Sequence, residues 1–153
     1  MKQLKEFINE KLHVGNYKKQ EYICQPKDRL ELKEIIEERL KNDKDANLND
    51  IDISNLFTLN FLFQNLNPYN IKIDKWNTSH IKHMNGVFYG CNNFNCDLSE
   101  WDVSKVEDMY GMFNGCTKFT GEGLDNWKVH AINMNTMFDG CNSLKNTPKW
   151  YKK

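Results

Sequence analysis

Apolar residues return along the second two thirds of the chain with a period near 25. Read from each tryptophan, Trp76-Asn77-Thr78-Ser79, Trp101-Asp102-Val103-Ser104 and Trp127-Lys128-Val129-His130 align at spacings of 25 and 26 residues. The agreement continues through Ile81, Val106 and Ile132; Met84, Met109 and Met134; and Phe88, Phe113 and Phe138. It ends with Gly90-Cys91, Gly115-Cys116 and Gly140-Cys141, followed by Phe94, Phe119 and Leu144. Leu98 pairs with Leu124 if the unit between them carries one extra residue. A degenerate unit precedes these, with Ile51 in the tryptophan position. The pattern therefore predicts four units, 51–75, 76–100, 101–126 and 127–150.

Within a unit two periodicities alternate. Ser104 and Glu107 have the spacing of a helix capping box, Val106, Met109, Met112 and Phe113 recur at helical spacing, and Gly115 supplies the left-handed residue that ends a helix. Trp101 and Val103 alternate with Glu100 and Asp102, which reads as a strand. A unit this short cannot bury its apolar face alone, so units must stack. The expected fold class is an α/β repeat: a short right-handed solenoid with one strand and one short helix per coil.

The first 50 residues do not repeat and read as a helical amino-terminal cap. Leu4, Phe7, Ile8 and Leu12 make a first amphipathic stripe, closed near Gly15. A second helix is expected from about Asp28 to Lys41, with Pro26 ahead of it, Asp28 and Glu31 as its capping pair, and Leu32, Ile35, Ile36 and Leu40 as its apolar stripe. Glu21 to Cys24 could be an edge strand between them. At the far end Pro148 and Lys149-Trp150-Tyr151-Lys152-Lys153 are expected to close the last coil with polar cover.

The string Asn95 to Cys116, with Leu98, Trp101-Asp102-Val103-Ser104, Met109, Met112-Phe113 and Gly115-Cys116, resembles the repeat of the BspA-like leucine-rich-repeat family. The resemblance covers about residues 51–150 and departs at Lys128 and His130, where that family has Asp and Ser. Its known members are mostly long surface proteins that bind host or matrix proteins. The resemblance thus implies a binding module without enzymatic chemistry.

Charge narrows the partners. The chain has 21 basic and 21 acidic residues among 153, and neither the part that ends at Asp50 nor the part after it departs from neutrality. No polyelectrolyte field favours nucleic acid or an anionic membrane. The start lacks the apolar run of a secretory signal, and no stretch reaches transmembrane length, so a cytoplasmic location with reduced thiols is expected. Asparagine is over-used, with 21 copies of which 16 follow Asp50. That bias suits a chain full of turns.

Candidate chemistry is sparse. Cys91, Cys116 and Cys141 fall at one place in successive units and would form a ladder; zinc sites usually hold cysteines two to four residues apart, so a buried apolar column is the favoured reading. Cys24 and Cys96 lie off the ladder, where either could be an exposed thiol. His80 and His83 have a spacing that permits a metal, but no third ligand accompanies them. Glu107 and Asp108 suit the start of a helix without catalysis. No phosphate loop, nucleophile elbow or zinc-protease string is present. No enzyme activity, cofactor or metal is expected.

What remains is surface. The outward positions around each tryptophan, Lys75, Glu100 and Asn126 before it and Asn77, Asp102 and Lys128 after it, differ from unit to unit and form the candidate protein-binding row. Tyr69, Tyr89 and Tyr110 are further candidates. The expected function is a protein-interaction module: a monomer or weak oligomer acting as an intracellular inhibitor or adaptor, of viral or mobile-element origin, that binds a host protein. The alternative is a structural or assembly protein that self-associates or docks in a larger complex.

Overall fold

A computed structural model describes residues 24–152. The chain opens with helix α1, Arg29–Asn42. Its start follows from the sequence: Asp28 accepts from the Glu31 amide at 2.9 Å, and the Glu31 carboxylate reaches back to the Lys27 amide at 2.7 Å. The stripe Leu32, Ile35, Ile36 and Leu40 is buried and joins the same apolar cluster as the repeats that follow. Arg39 forks onto the Asp50 carboxylate and also reaches the Asn47 carbonyl, which ties the helix to the chain leaving it. The earlier amphipathic stripe from Leu4 to Gly15 and the stretch 21–23 lie outside the described residues; Cys24 itself makes a single parallel bridge to Ile51.

From Ile51 onward the expected α/β solenoid, with a strand and a helix in each coil, does not form. Among the described residues α1 is the one α-helix, Leu124–Asn126 is a single 3-10 turn, and β pairing is limited to five isolated parallel bridges. The repeats are built from turns, and those turns are stitched to one another.

The segment read as a helix shows why. Its alternate amides leave the local chain: Met109, Gly111, Phe113 and Gly115 donate to the carbonyls of Asn133, Asn135, Met137 and Asp139 in the following repeat, at 2.8 to 3.0 Å. The residues between them close tight turns, with Met112, Asn114 and Cys116 donating three residues back to Met109, Gly111 and Phe113. This alternation needs left-handed backbone twice per repeat. Phe61, Gly86, Gly111 and Thr136 form one such column and Asn65, Gly90, Gly115 and Gly140 the other. Gly115 is left-handed as expected, but Gly111 breaks the helix before it starts. Turns of three residues reproduce the apolar spacing of a helix, which is why the pattern misled. The Ser104–Glu107 capping box fails with it: the Ser104 amide donates to the Asp102 carboxylate, and the Glu107 amide crosses to the Lys82 carbonyl.

Beside the tryptophans, side chains do alternate inward and outward as a strand would, with Trp101 and Val103 buried and Glu100 and Asp102 exposed. Strand pairing is replaced by indole bonds. Trp76, Trp101, Trp127 and Trp150 each donate from Nε1 to the carbonyl of Leu48, Ile73, Leu98 and Leu124 respectively, one repeat earlier, at 2.7 to 3.0 Å. The pairing of Leu98 with Leu124 is therefore correct.

The core is a set of stacked columns. Phe63, Phe88, Phe113 and Phe138 stack at centroid separations of 5.2, 5.6 and 5.7 Å with nearly parallel rings. Trp76 stacks on Trp101, and Trp127 on Trp150, at 6.3 and 6.1 Å. Pairs of this kind add about 0.5–1.5 kcal/mol each beyond their buried area. The end of the chain closes with apolar groups, contrary to the polar cover expected there: Pro148 is buried, Trp150 continues the tryptophan column, and the Tyr151 ring meets Phe138 edge-on at 4.9 Å.

Asparagines and threonines bind repeat to repeat as well as shaping turns. The Asn60 and Asn95 side chains accept from the amides of Asn85 and Thr120, each 25 residues away, and Asn67 accepts from Asn93. The Thr78 hydroxyl donates to the Asp102 carbonyl in the next repeat.

Candidate interaction surface

The candidate row is exposed at all six positions, Lys75, Asn77, Glu100, Asp102, Asn126 and Lys128. The structure divides it in two. Asn77 accepts from the Ser79 amide and hydroxyl, and Asp102 accepts from the Ser104 amide at 2.9 Å. These two shape turns. Bonding from Ser104, helped by the positive charges of Lys105 and Lys128, holds the Asp102 carboxyl below its ordinary value. Among the described residues the side chains of Lys75, Glu100, Asn126 and Lys128 make no hydrogen bond or ion pair. They are fixed at their base by buried neighbours, Trp76, Trp101 and Trp127, and free at their tips.

A second exposed face lies on the turn segment of each repeat. Lys82 donates its amide to Phe57, Glu107 to Lys82, and Ile132 to Glu107, so these four side chains form one column. The Lys82 and Glu107 side chains pair at 3.3 Å, while Phe57 and Ile132 at the two ends are 64% and 92% exposed. Ile132 was expected in the core with Ile81 and Val106, which are buried. One residue fewer separates Trp127 from its turn, so Ala131 takes the inward place and Ile132 faces water. Phe61, Tyr89 and Tyr110 are exposed on the same turn segments. Phe61 lies across Gly86, where a Cβ would come within 2.4 Å of its ring. Tyr89 and Tyr110 were sequence candidates; Phe57, Phe61 and Ile132 were not, since nothing in a single repeat separates a surface aromatic from a core one.

Tyr69, the remaining tyrosine candidate, sits elsewhere. It lines an open groove of about 430 Å³ with Asn70, Asn93, Asn95, Lys118 and Ser143, and the Lys118 ammonium lies 5.8 Å from the centre of its ring.

The cysteine ladder is buried. Cys91, Cys116 and Cys141 donate from Sγ to the carbonyls of Phe63, Phe88 and Phe113, each 28 residues back, at 2.9 to 3.1 Å. Burial pushes the thiols of Cys91 and Cys141 up to about 12, and that of Cys116 higher still. Of the two candidates for an exposed thiol neither is exposed: Cys96 is buried and bonded to the Ile71 carbonyl, with its thiol also pushed up to about 12 by burial, and Cys24 is buried as well. Among the described residues none of the five forms a disulfide. Such groups are poor nucleophiles, because the thiolate is the reactive form. His80 turns its Nε2 to the Ile53 carbonyl at 3.1 Å, and His83 lies on the bridge column between Thr58 and Asp108. Among the described residues no three of His, Cys, Asp or Glu converge as metal ligands, and no helix is long and apolar enough to cross a membrane.

The repeats, the columns and α1 together make up most of residues 31–150, and that span matches the family described as "Mycoplasma protein of unknown function, DUF285". The chain belongs to the DUF285 family. Comparison with curated proteins and with solved structures gives no match. The description of that family names no function, so a functional reading rests on what the surface offers.

Proposed function

We propose that this DUF285 chain is a non-enzymatic protein-binding module that presents the row Lys75, Asn77, Glu100, Asp102, Asn126 and Lys128 to a protein partner. The observation that carries the reading is the freedom of Lys75, Glu100, Asn126 and Lys128 above a column of buried tryptophans. Their backbone is held by the buried tryptophans and their polar tips are unpaired and available to a partner, at a cost of about 0.5–1.5 kcal/mol for ordering each long side chain. The order along the row, basic, acidic, then polar and basic, favours a partner of complementary pattern over a polyanion. The resemblance to BspA-like repeats, whose known members bind proteins, supports the same reading.

The test is capture of a partner from extracts of the source cells on the immobilised chain, repeated with Glu100→Lys combined with Lys128→Glu. The proposal expects one protein held in stoichiometric amount by the natural chain and lost from the variant. Equal capture by both would refute the row as the binding surface. A chain that elutes as a defined oligomer with this row protected would favour the structural reading.

A further inference from the structure

The groove beside Tyr69 is built from two places in the repeat. Asn93, Lys118 and Ser143 hold one place in successive units, each 25 residues after the last, and Asn70 and Asn95 hold another, also 25 apart. Their backbones are pinned from repeat to repeat. The Asn70 amide donates to the Asp45 carboxylate and the Asn93 amide to the Asn67 side chain, while Lys118 and Ser143 donate to the carbonyls of Asn92 and Thr117. Asn95 is pinned through its own side chain, whose Oδ1 accepts from the amide and hydroxyl of Thr120.

The polar tips, by contrast, have nothing to bind. Among the described residues the side chains of Asn70, Asn93 and Ser143 make no hydrogen bond, and neither does the Asn95 Nδ2. The Lys118 ammonium has only the Tyr69 ring. Tyr69 itself holds the place that Phe94 and Phe119 fill inside the core, yet it is 52% exposed while those two are fully buried. Its ring is thus held by the Lys118 cation and still half open to the groove.

We infer that this groove binds a terminal pyranose ring of a glycan. Three amides and a hydroxyl present donors and acceptors side by side, which is what neighbouring sugar hydroxyls need, since each hydroxyl both donates and accepts. The exposed Tyr69 ring offers an apolar face to the C–H side of a sugar, and Lys118 adds a donor at its margin. A bare anion would meet the amide oxygens as well as the lysine, and an apolar ligand would leave every one of these groups unpaired. The volume of about 430 Å³ falls within the range of about 300–1,000 Å³ typical of small-molecule sites. The groove shares no residue with the row beside the tryptophans, so either can fail without the other.

The test is titration of the whole chain, isotope-labelled at its asparagine side chains, with the methyl glycosides of glucose, galactose, mannose and N-acetylglucosamine. Inorganic phosphate and acetate serve as controls, and the methyl group stands for the rest of a glycan. The expected result is that at least one glycoside shifts the Nδ2 resonances of Asn70, Asn93 and Asn95 together and saturably, while phosphate and acetate leave them in place. Tyr69→Ala should weaken that binding about tenfold with the rest of the spectrum unchanged, the loss of one stacked ring. Glu100→Lys combined with Lys128→Glu should bind the glycoside as the natural chain does. The inference is overturned if none of the four glycosides moves the three amides, if phosphate or acetate moves them as strongly, or if Tyr69→Ala binds as well as the natural chain.

Discussion

The indole of Trp101 donates to the carbonyl of Ile73, 28 residues earlier, at 2.9 Å. The ring is thus both a core group and a rivet between repeats. Trp101→Phe keeps most of the buried area but removes one of the two donors to that carbonyl, the Trp76 amide remaining, which costs about 0.5–1.5 kcal/mol. Trp101→Ala should cost about 3–5 kcal/mol. Urea unfolding of the two variants checks both. Equal stability of Trp101→Phe and the natural chain would remove the bond from the account.

The cysteines predict a pH dependence. The folded values of Cys91, Cys96, Cys116 and Cys141 lie above the ordinary 9.0, with Cys91, Cys96 and Cys141 at about 12. Folding favours the neutral thiol, so its contribution is complete below pH 9 and is lost as pH rises from there toward 12. Stability should fall over that interval, and Cys116→Ala should reduce the slope. Thiol labelling at neutral pH should be negligible until the chain unfolds; prompt labelling of Cys116 in the native state would contradict its burial.

Backbone handedness separates two positions in one column. Gly86 has φ +53°, and Phe61 crowds the place of its missing Cβ, so Gly86→Ala should lose at least about 1 kcal/mol. Thr136 occupies the same column at φ +57° with a branched side chain. Thr136→Gly should raise stability, by up to about 1 kcal/mol, despite the freer unfolded chain. Thermal unfolding of the pair checks the sign of each.

Much of this was legible in the sequence. The period, the columns of Trp, Phe and Cys, and α1 with its Asp28 cap can all be read from residue types and spacing. The local conformation could not, because a turn closing every three residues imitates the apolar spacing of a helix. The decisive bonds also join residues 24 apart, beyond the reach of local propensity. The surface was half legible: the row beside the tryptophans is exposed as expected, yet Asp102 and Asn77 serve turns, and Ile132 left the core through a one-residue shortening after Trp127.

That division of the row predicts unequal effects. Glu100→Lys should leave stability within about 0.5 kcal/mol. Asp102→Lys removes the acceptor of the Ser104 amide and should cost about 0.5–1.5 kcal/mol. Since bonding to Ser104 lowers the Asp102 pKa, that part of its contribution is present above the unfolded carboxylate value and is lost as pH falls through the folded one. Identical melting of the two variants would assign Asp102 to the surface alone.

Amide hydrogen exchange tests the central claim, that turn segments hydrogen-bonded from repeat to repeat hold the repeats and their exposed row in place. Met84, Gly86, Phe88 and Gly90, and Met109, Gly111, Phe113 and Gly115, should exchange slowly, near the limit of global unfolding. Met134, Thr136, Phe138 and Gly140, alike in repeat position but meeting no backbone acceptor among the described residues, should exchange fast. Uniform protection of all three sets, or slow exchange in continuous helical runs from Val106 to Gly115, would contradict the account.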